Sequence, residues 1–105
     1  MDNKHLQKWG MPTLSEFKDA SDPLAQTYGG MPYNRWRFFR KTDNGCGYLE
    51  IVHVNGKGFA GLFLCRNEMP FVNVRYEDSF DFCYEKLIKQ SIDWLEDIEK
   101  KGLFK

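Results

Sequence analysis

Through the middle of this chain, apolar and polar residues alternate with a period of two; towards its end the apolar spacing lengthens to three and four. The first pattern belongs to half-buried strands and the second to an amphipathic helix. Asn34–Lys41 sets Trp36 and Phe38 against Arg35, Arg37 and Phe39. Gly47–Val54 and Lys57–Cys65 are two β-type runs joined by Asn55-Gly56, and Phe71–Tyr76 alternates Val72, Val74 and Tyr76 with Phe71, Asn73 and Arg75. From Asp78 or Ser79 to about Gly102, the residues Phe80, Cys83, Tyr84, Leu87, Ser91, Trp94, Leu95 and Ile98 form one stripe of a long helix. Upstream, Thr13-Leu14-Ser15-Glu16 fits a capping box for a short helix over 14–20. Ser21 or Asp22, followed by Pro23 and later by Gly29, predicts a second short helix.

Consecutive strands with short connections make an antiparallel meander. The predicted fold is therefore α+β: a four-stranded antiparallel meander sheet, a long C-terminal helix packed on one face, and short N-terminal helices. The chain reads as a single domain over 1–105, with a helical arm at 1–33, the sheet at 34–76 and the helix at 78–102.

Asn-Gly between two β-type runs is a strong hairpin signal, because a type I′ turn needs positive φ at both central residues. Taken as a two-residue turn, it pairs Val54 with Lys57, Val52 with Phe59, Glu50 with Gly61 and Tyr48 with Phe63. One face of the hairpin is then aromatic and mixed. The other, with Leu49, Ile51 and His53 against Gly58, Ala60, Leu62 and Leu64, is aliphatic and suits the core. Extended to the outer strands, the same sidedness sends Trp36, Phe38, Val72, Val74 and Tyr76 to the core. The opposite face collects Arg35, Arg37, Phe39, Lys41, Tyr48, Val52, Lys57, Phe59, Phe63, Phe71 and Arg75. The competing expectation is that the N-terminal helices fold over those aromatics and make a second core.

The net charge is zero, so bulk charge does not point to nucleic acid or membrane. Neutrality hides an asymmetry: residues 35–76 carry seven bases and three acids, whereas residues 77–105 carry eight acids and five bases. A basic sheet is backed by an acidic helix. No apolar run reaches the ~18–20 residues that span a bilayer, and Met1–His5 has no hydrophobic signal core, so the expected location is cytoplasmic. The three cysteines, Cys46, Cys65 and Cys83, show no C-x-x-C spacing, in keeping with a reduced protein. Cys65 and Cys83 read as small buried hydrophobes and Cys46 as a turn residue.

Catalytic motifs are missing from the sequence. There is no G-x-S-x-G, Walker A or G-x-G-x-x-G pattern. His53 and Glu50, three apart in a strand, point to opposite faces, and His5 falls in an expected tail. The expectation is a non-enzyme without cofactor or metal. Its candidate binding residues are Tyr33, Arg35, Trp36, Arg37, Arg40, Lys41, Tyr48, Lys57, Phe59, Phe63 and Arg75. Trp, Tyr and Arg dominate interface energetics, so Tyr33, Arg35, Trp36 and Arg37 would be anchors for another protein. An inhibitor, adaptor or immunity-type protein is the first expectation, and a homodimer through an exposed strand edge is compatible with it.

The alternative is single-stranded DNA or RNA, with bases stacked on the aromatics and phosphates met by the arginines. Lys57-Gly58-Phe59-Ala60 matches the first four positions of the RNP1 signature of RNA-recognition domains, but Gly61 and Leu64 break it at the fifth and last. The order of four strands followed by a helix resembles the PUR-repeat and whirly groups of single-strand binders, a likeness of topology that implies the same alternative.

Overall fold

The computed structural model describes residues 3–21, 26–28, 31–42, 45–65 and 71–102. Two short helices, α1 (Asn3–Lys8) and α2 (Leu14–Asp19), precede five strands: β1 (Gln26–Tyr28), β2 (Met31–Thr42), β3 (Gly45–Val54), β4 (Gly58–Cys65) and β5 (Phe71–Glu77). A long helix, α3 (Phe80–Lys100), completes the chain. The strands form one antiparallel sheet in the order β1-β2-β3-β4-β5. The fold is α+β, and the four expected strands are present in the expected order.

The local signals at the helix ends act as their chemistry requires. Thr13 Oγ1 accepts from the Glu16 N–H at 3.2 Å, and Glu16 Oε1 accepts from the Thr13 N–H at 2.8 Å, which closes the capping box of α2. Ser79 caps α3 through the Phe82 N–H at 3.1 Å. Along α3, the Lys89–Asp93 and Asp97–Lys101 pairs close at 2.9 and 3.0 Å. The buried stripe adds Ile88 and Ile92 to the expected residues, and Trp94 packs at its margin.

Two expectations for the N-terminal region are corrected. Residues 26–28 are not the end of a second helix; they are β1, paired with Met31–Tyr33 of β2. A short isolated helix is marginal, whereas pairing satisfies backbone groups on the edge of β2. His5 is not in a tail either. It lies in α1, with Nε2 3.1 Å from Glu96 Oε2 on α3, and Lys8 meets Glu99 at 3.4 Å.

The largest correction concerns the central hairpin. Its turn holds three residues, Asn55-Gly56-Lys57, closed by the Lys57 N–H donating to the Val54 carbonyl at 2.9 Å. Gly56 has φ 81° and Gly58 φ 113°, while Asn55 is not in the positive-φ region that a type I′ turn demands. Val54 therefore pairs with Gly58, Ile51 with Gly61, Leu49 with Phe63 and Tyr48 with Leu64. A slip of one residue exchanges the faces of a strand. Phe59 and Phe63 turn to the helices, and Ala60, Leu62 and Leu64 turn away from them.

This register suits the packing of α3. Phe63 is fully buried, with its ring 6.2 Å from Trp94. Gly61 lies beneath the helix, where a Cβ would stand 3.1 Å from Leu87 Cδ2 and 3.2 Å from Cys83 Sγ. Phe59, Trp36 and Phe17 all pack on Phe80 within 6.2 Å. The core is one cluster in which Leu6, Trp9, Met11 and Phe17 join Leu49, Ile51, Phe63 and the stripe of α3. All three helices thus share one face of the sheet, and the N-terminal helices do not form a second core on the other. Trp36, Phe38, Val72 and Val74 face the core as expected. Tyr76 does not. It sits at φ 48° beside the irregularity between Phe59 and Gly61 and is 43% exposed.

Arg40, a candidate binding residue by sequence, is instead buried at 1% exposure. It points from β2 to the helix side, where its Nε donates to the Trp9 carbonyl at 2.6 Å and its guanidinium stands 5.7 Å from the Phe63 ring centre. Gly47 leaves it room, since a Cβ there would come within 2.9 Å of its Nη1. Burying a guanidinium is costly unless it is paired, so this contact fixes where α1 and its following turn dock.

The register sets a stability contrast. Phe63→Ala should cost ~3–5 kcal/mol, as expected for a buried aromatic, and Leu64→Ala no more than ~0.5 kcal/mol, as expected at the surface. Urea denaturation of the two variants measures both, and the two-residue turn would reverse their order.

Candidate binding face

The face of the sheet turned away from the helices is ordered by the register into rows across the strands. Phe39, Tyr48 and Leu64 make the first row, Arg37, Glu50 and Leu62 the second, and Arg35, Val52 and Ala60 the third. Asn73 of β5 extends the second row, and by alternation Arg75 lies on the same face. Read along the strands, β4 presents only apolar side chains, and β2 presents two arginines and a phenylalanine. Phe39 is 62% exposed and Leu64 41% exposed.

One polar network crosses this face. Arg37 Nε donates to the Tyr48 hydroxyl at 3.1 Å, and that hydroxyl donates to Glu50 Oε1. Arg35 Nη1 lies 4.0 Å from the same carboxylate oxygen. The Arg37 guanidinium also stacks over Phe39 at 5.3 Å and Tyr48 at 5.6 Å, and those two rings are 5.0 Å apart. Burial pushes the Tyr48 phenol from 10.0 up to about 12; the hydrogen bond to Glu50 and the charge of Glu50 add to the shift, and Arg37 opposes it. Tyr48 is thus a fixed neutral donor that holds Glu50, a bracing role that needs no chemistry.

The structure separates the sequence-predicted residues. Arg35, Arg37, Tyr48 and Arg75 come together on the open face. Lys57 is exposed in the β3–β4 turn, its Nζ 5.8 Å from the Tyr76 ring centre. Phe59, Phe63 and Arg40 belong to the helix side, as does Trp36, whose ring is 4.9 Å from Phe80. Tyr33 and Lys41 pair with Val54 and Cys46 in the β2–β3 ladder, but their side chains lie outside the described ones, as do those of Cys46, Cys65 and Phe71. The residues that sequence reasoning missed are Leu62, Leu64 and Ala60, placed in the core by the two-residue turn. Gly58, a second glycine able to take positive φ, was the signal for the longer turn.

Other sites offer little chemistry. His53 is on the core side, stacked on Phe59 at 4.4 Å and turned away from Glu50. Cys83 is free and buried, its thiol pushed up to about 12 by desolvation and by the Glu77 charge. Among the described residues, no group of three His, Cys, Asp or Glu side chains is placed to hold a metal ion, and no helix is long and apolar enough to cross a membrane. A cleft of about 470 Å³ opens between α1, α2 and β2 over Leu6, Met11 and Phe38; among the described residues its one carboxylate, Glu16, is the residue that closes the capping box.

No family model, no curated protein and no solved structure matches this chain.

Stability at high pH reports on the Tyr48 network. Because the folded state holds this proton more tightly than the unfolded chain, Tyr48's contribution is complete below pH 10 and is lost as the pH rises towards about 12. The urea midpoint should fall across that window, and the fall should be shallower in Tyr48→Phe, with Tyr84 and Cys83 still contributing. An unchanged slope would mean that the Tyr48 phenol is not held above its ordinary range by its burial and by Glu50.

Proposed function

We propose that this chain is a non-catalytic binding protein acting by protein–protein contact, as an inhibitor, adaptor or immunity-type partner, through the open face of its sheet. The observation that carries this reading is the row in which exposed Phe39 and Leu64 flank half-buried Tyr48, beside Arg35 and Arg37. A rigid aromatic and arginine cluster on strands, next to an apolar stripe, has the composition of an interface core. Tyr48 and Arg37 brace each other before any partner arrives, so little side-chain freedom remains to be lost on binding. The same reading has the chain working in the cytosol, where a reduced Cys83 would persist.

Single-stranded nucleic acid is the second reading, favoured by the three arginines of this face. The distribution of aromatics weighs against it. Phe59 and Phe63, two of the rings a base would stack on, pack under α3, and Arg35 and Arg37 are engaged with Glu50 and Tyr48.

Affinity capture from a lysate of the source cells, with the wild type and a Phe39→Asp/Leu64→Asp variant, tests the first reading beside anisotropy of labelled oligonucleotides at two salt concentrations. We expect a specific protein on the wild type, its affinity reduced more than ~30-fold in the variant, as for loss of a hot spot worth ~2 kcal/mol or more, with unchanged circular dichroism. Oligonucleotide binding that weakens steeply with salt would overturn it in favour of nucleic acid.

A further inference from the structure

We infer that Arg75 and Tyr76, two residues of β5 where the ladder calls for one, keep the free edge of the sheet from pairing with a second copy of this chain. The two ends of the sheet differ. On the β2 side the chain blunts its own edge. β1 holds only three residues, and further along β2 Ser21 bridges to Trp36 while the Arg37 N–H donates to the Ala20 carbonyl at 3.2 Å. Short edge strands and covered edges are two of the ways in which a sheet avoids adding strands from other molecules. At the other end β5 runs for seven residues, Phe71–Glu77, and among the described residues it pairs with β4 alone. Its composition invites a further strand. Phe71, Val72, Val74 and Tyr76 favour extended backbone, Arg75 and Glu77 cancel in charge, and neither proline nor glycine interrupts the run.

The irregularity of the β4–β5 ladder falls on this edge. Phe59 pairs with Glu77 and Gly61 with Val74, so one residue of β4, Ala60, faces two of β5, Arg75 and Tyr76. Glu77 and Val74 both belong to the helix side: Glu77 Oε2 lies 2.8 Å from Lys86 Nζ on α3, and Val74 is buried. An extra residue between two positions of like facing is a β-bulge, which bends its strand and increases the local twist. The regular part of the edge is thereby cut to residues 71–74. Tyr76 takes a positive φ of 48°, a conformation that bulky side chains rarely adopt and that glycine would hold without strain. The ring placed there is 43% exposed, with Lys57 Nζ 5.8 Å from its centre. Arg75 beside it is exposed and, among the described residues, has no carboxylate partner. A strand added at this edge has to follow the bend and strip water from an unpaired guanidinium. The strained backbone of Tyr76 is the local cost of that protection.

Two variants separate the parts of the guard. Deletion of Arg75 removes the charge and the extra residue together and lets β5 pair regularly, whereas Arg75→Val removes the charge and keeps the bulge. Sedimentation velocity of the full chain over a concentration series, with hydrogen exchange of the backbone amides, reads the result. The wild type should show no association through β5. The deletion variant should self-associate more than ~10-fold more tightly than the wild type, as expected when an edge loses its protection, and Arg75→Val to a smaller extent. In both, exchange should slow at the amides of residues 71–74. Association in both variants no stronger than in the wild type, association that leaves exchange in β5 unchanged, or a wild type already paired through β5 would each overturn the inference. Where the deletion variant loses its circular dichroism, Arg75→Val decides, and association there equal to the wild type's overturns it.

Discussion

The hydrogen bond from the Lys57 N–H to the Val54 carbonyl closes a three-residue turn, and that count sets the parity of the central hairpin. In a pleated strand parity is all or nothing: each side chain of β4 faces either the helices or the solvent. With three residues in the turn, Phe59 and Phe63 meet α3, Gly61 gives the helix its close approach, and Lys57 stays in water. With two, the aromatics would face away from α3 and Leu62 and Leu64 would lie under it. The positive φ angles of Gly56 and Gly58 are the local cost of the observed arrangement, carried by the residue type that tolerates them best.

Phe63 connects that turn to the rest of the molecule. It packs under Trp94 and supports the Arg40 guanidinium, which in turn holds the Trp9 carbonyl. Turn, sheet, long helix and N-terminal arm are therefore joined through one ring. The three helices crowd onto one face because the large apolar side chains of β2, β3, β4 and β5 converge there. What is left for the other face is a mixed surface, braced by the Arg37–Tyr48–Glu50 network. Antiparallel sheets tolerate a solvated face, but a solvated face that exposes Phe39 and Leu64 is suited to contact.

Much of this was legible in the residues. The capping box at Thr13, the Ser79 cap, the stripe of α3 and the alternation of the four long strands, Tyr76 excepted, follow from local rules, and the structure obeys them. Non-local choices were not legible. Whether 26–28 coil or pair depends on the neighbouring edge of β2, which no local propensity describes. Arg40 reads as a surface cation until Gly47, Phe63 and Trp9 are brought around it. Asn55-Gly56 favours a two-residue turn on its own. Gly58 and the burial of two phenylalanines favour three, and the energy of the core outweighs the preference of the dipeptide. The candidate site inherits that difference: Arg35, Arg37, Tyr48 and Arg75 were placed on the right face from their own strands, whereas Phe59 and Phe63 were exchanged for Leu62 and Leu64.

The central claim is the pairing of β3 with β4, since it decides which side chains the open face presents. Interstrand proton–proton NOEs in the isotope-labelled chain measure it directly. Contacts that pair Glu50 with Leu62 and Tyr48 with Leu64 are the expected result. Contacts that pair Glu50 with Gly61 and Tyr48 with Phe63 would contradict it, turn the phenylalanines outward, and remove the apolar stripe from the open face.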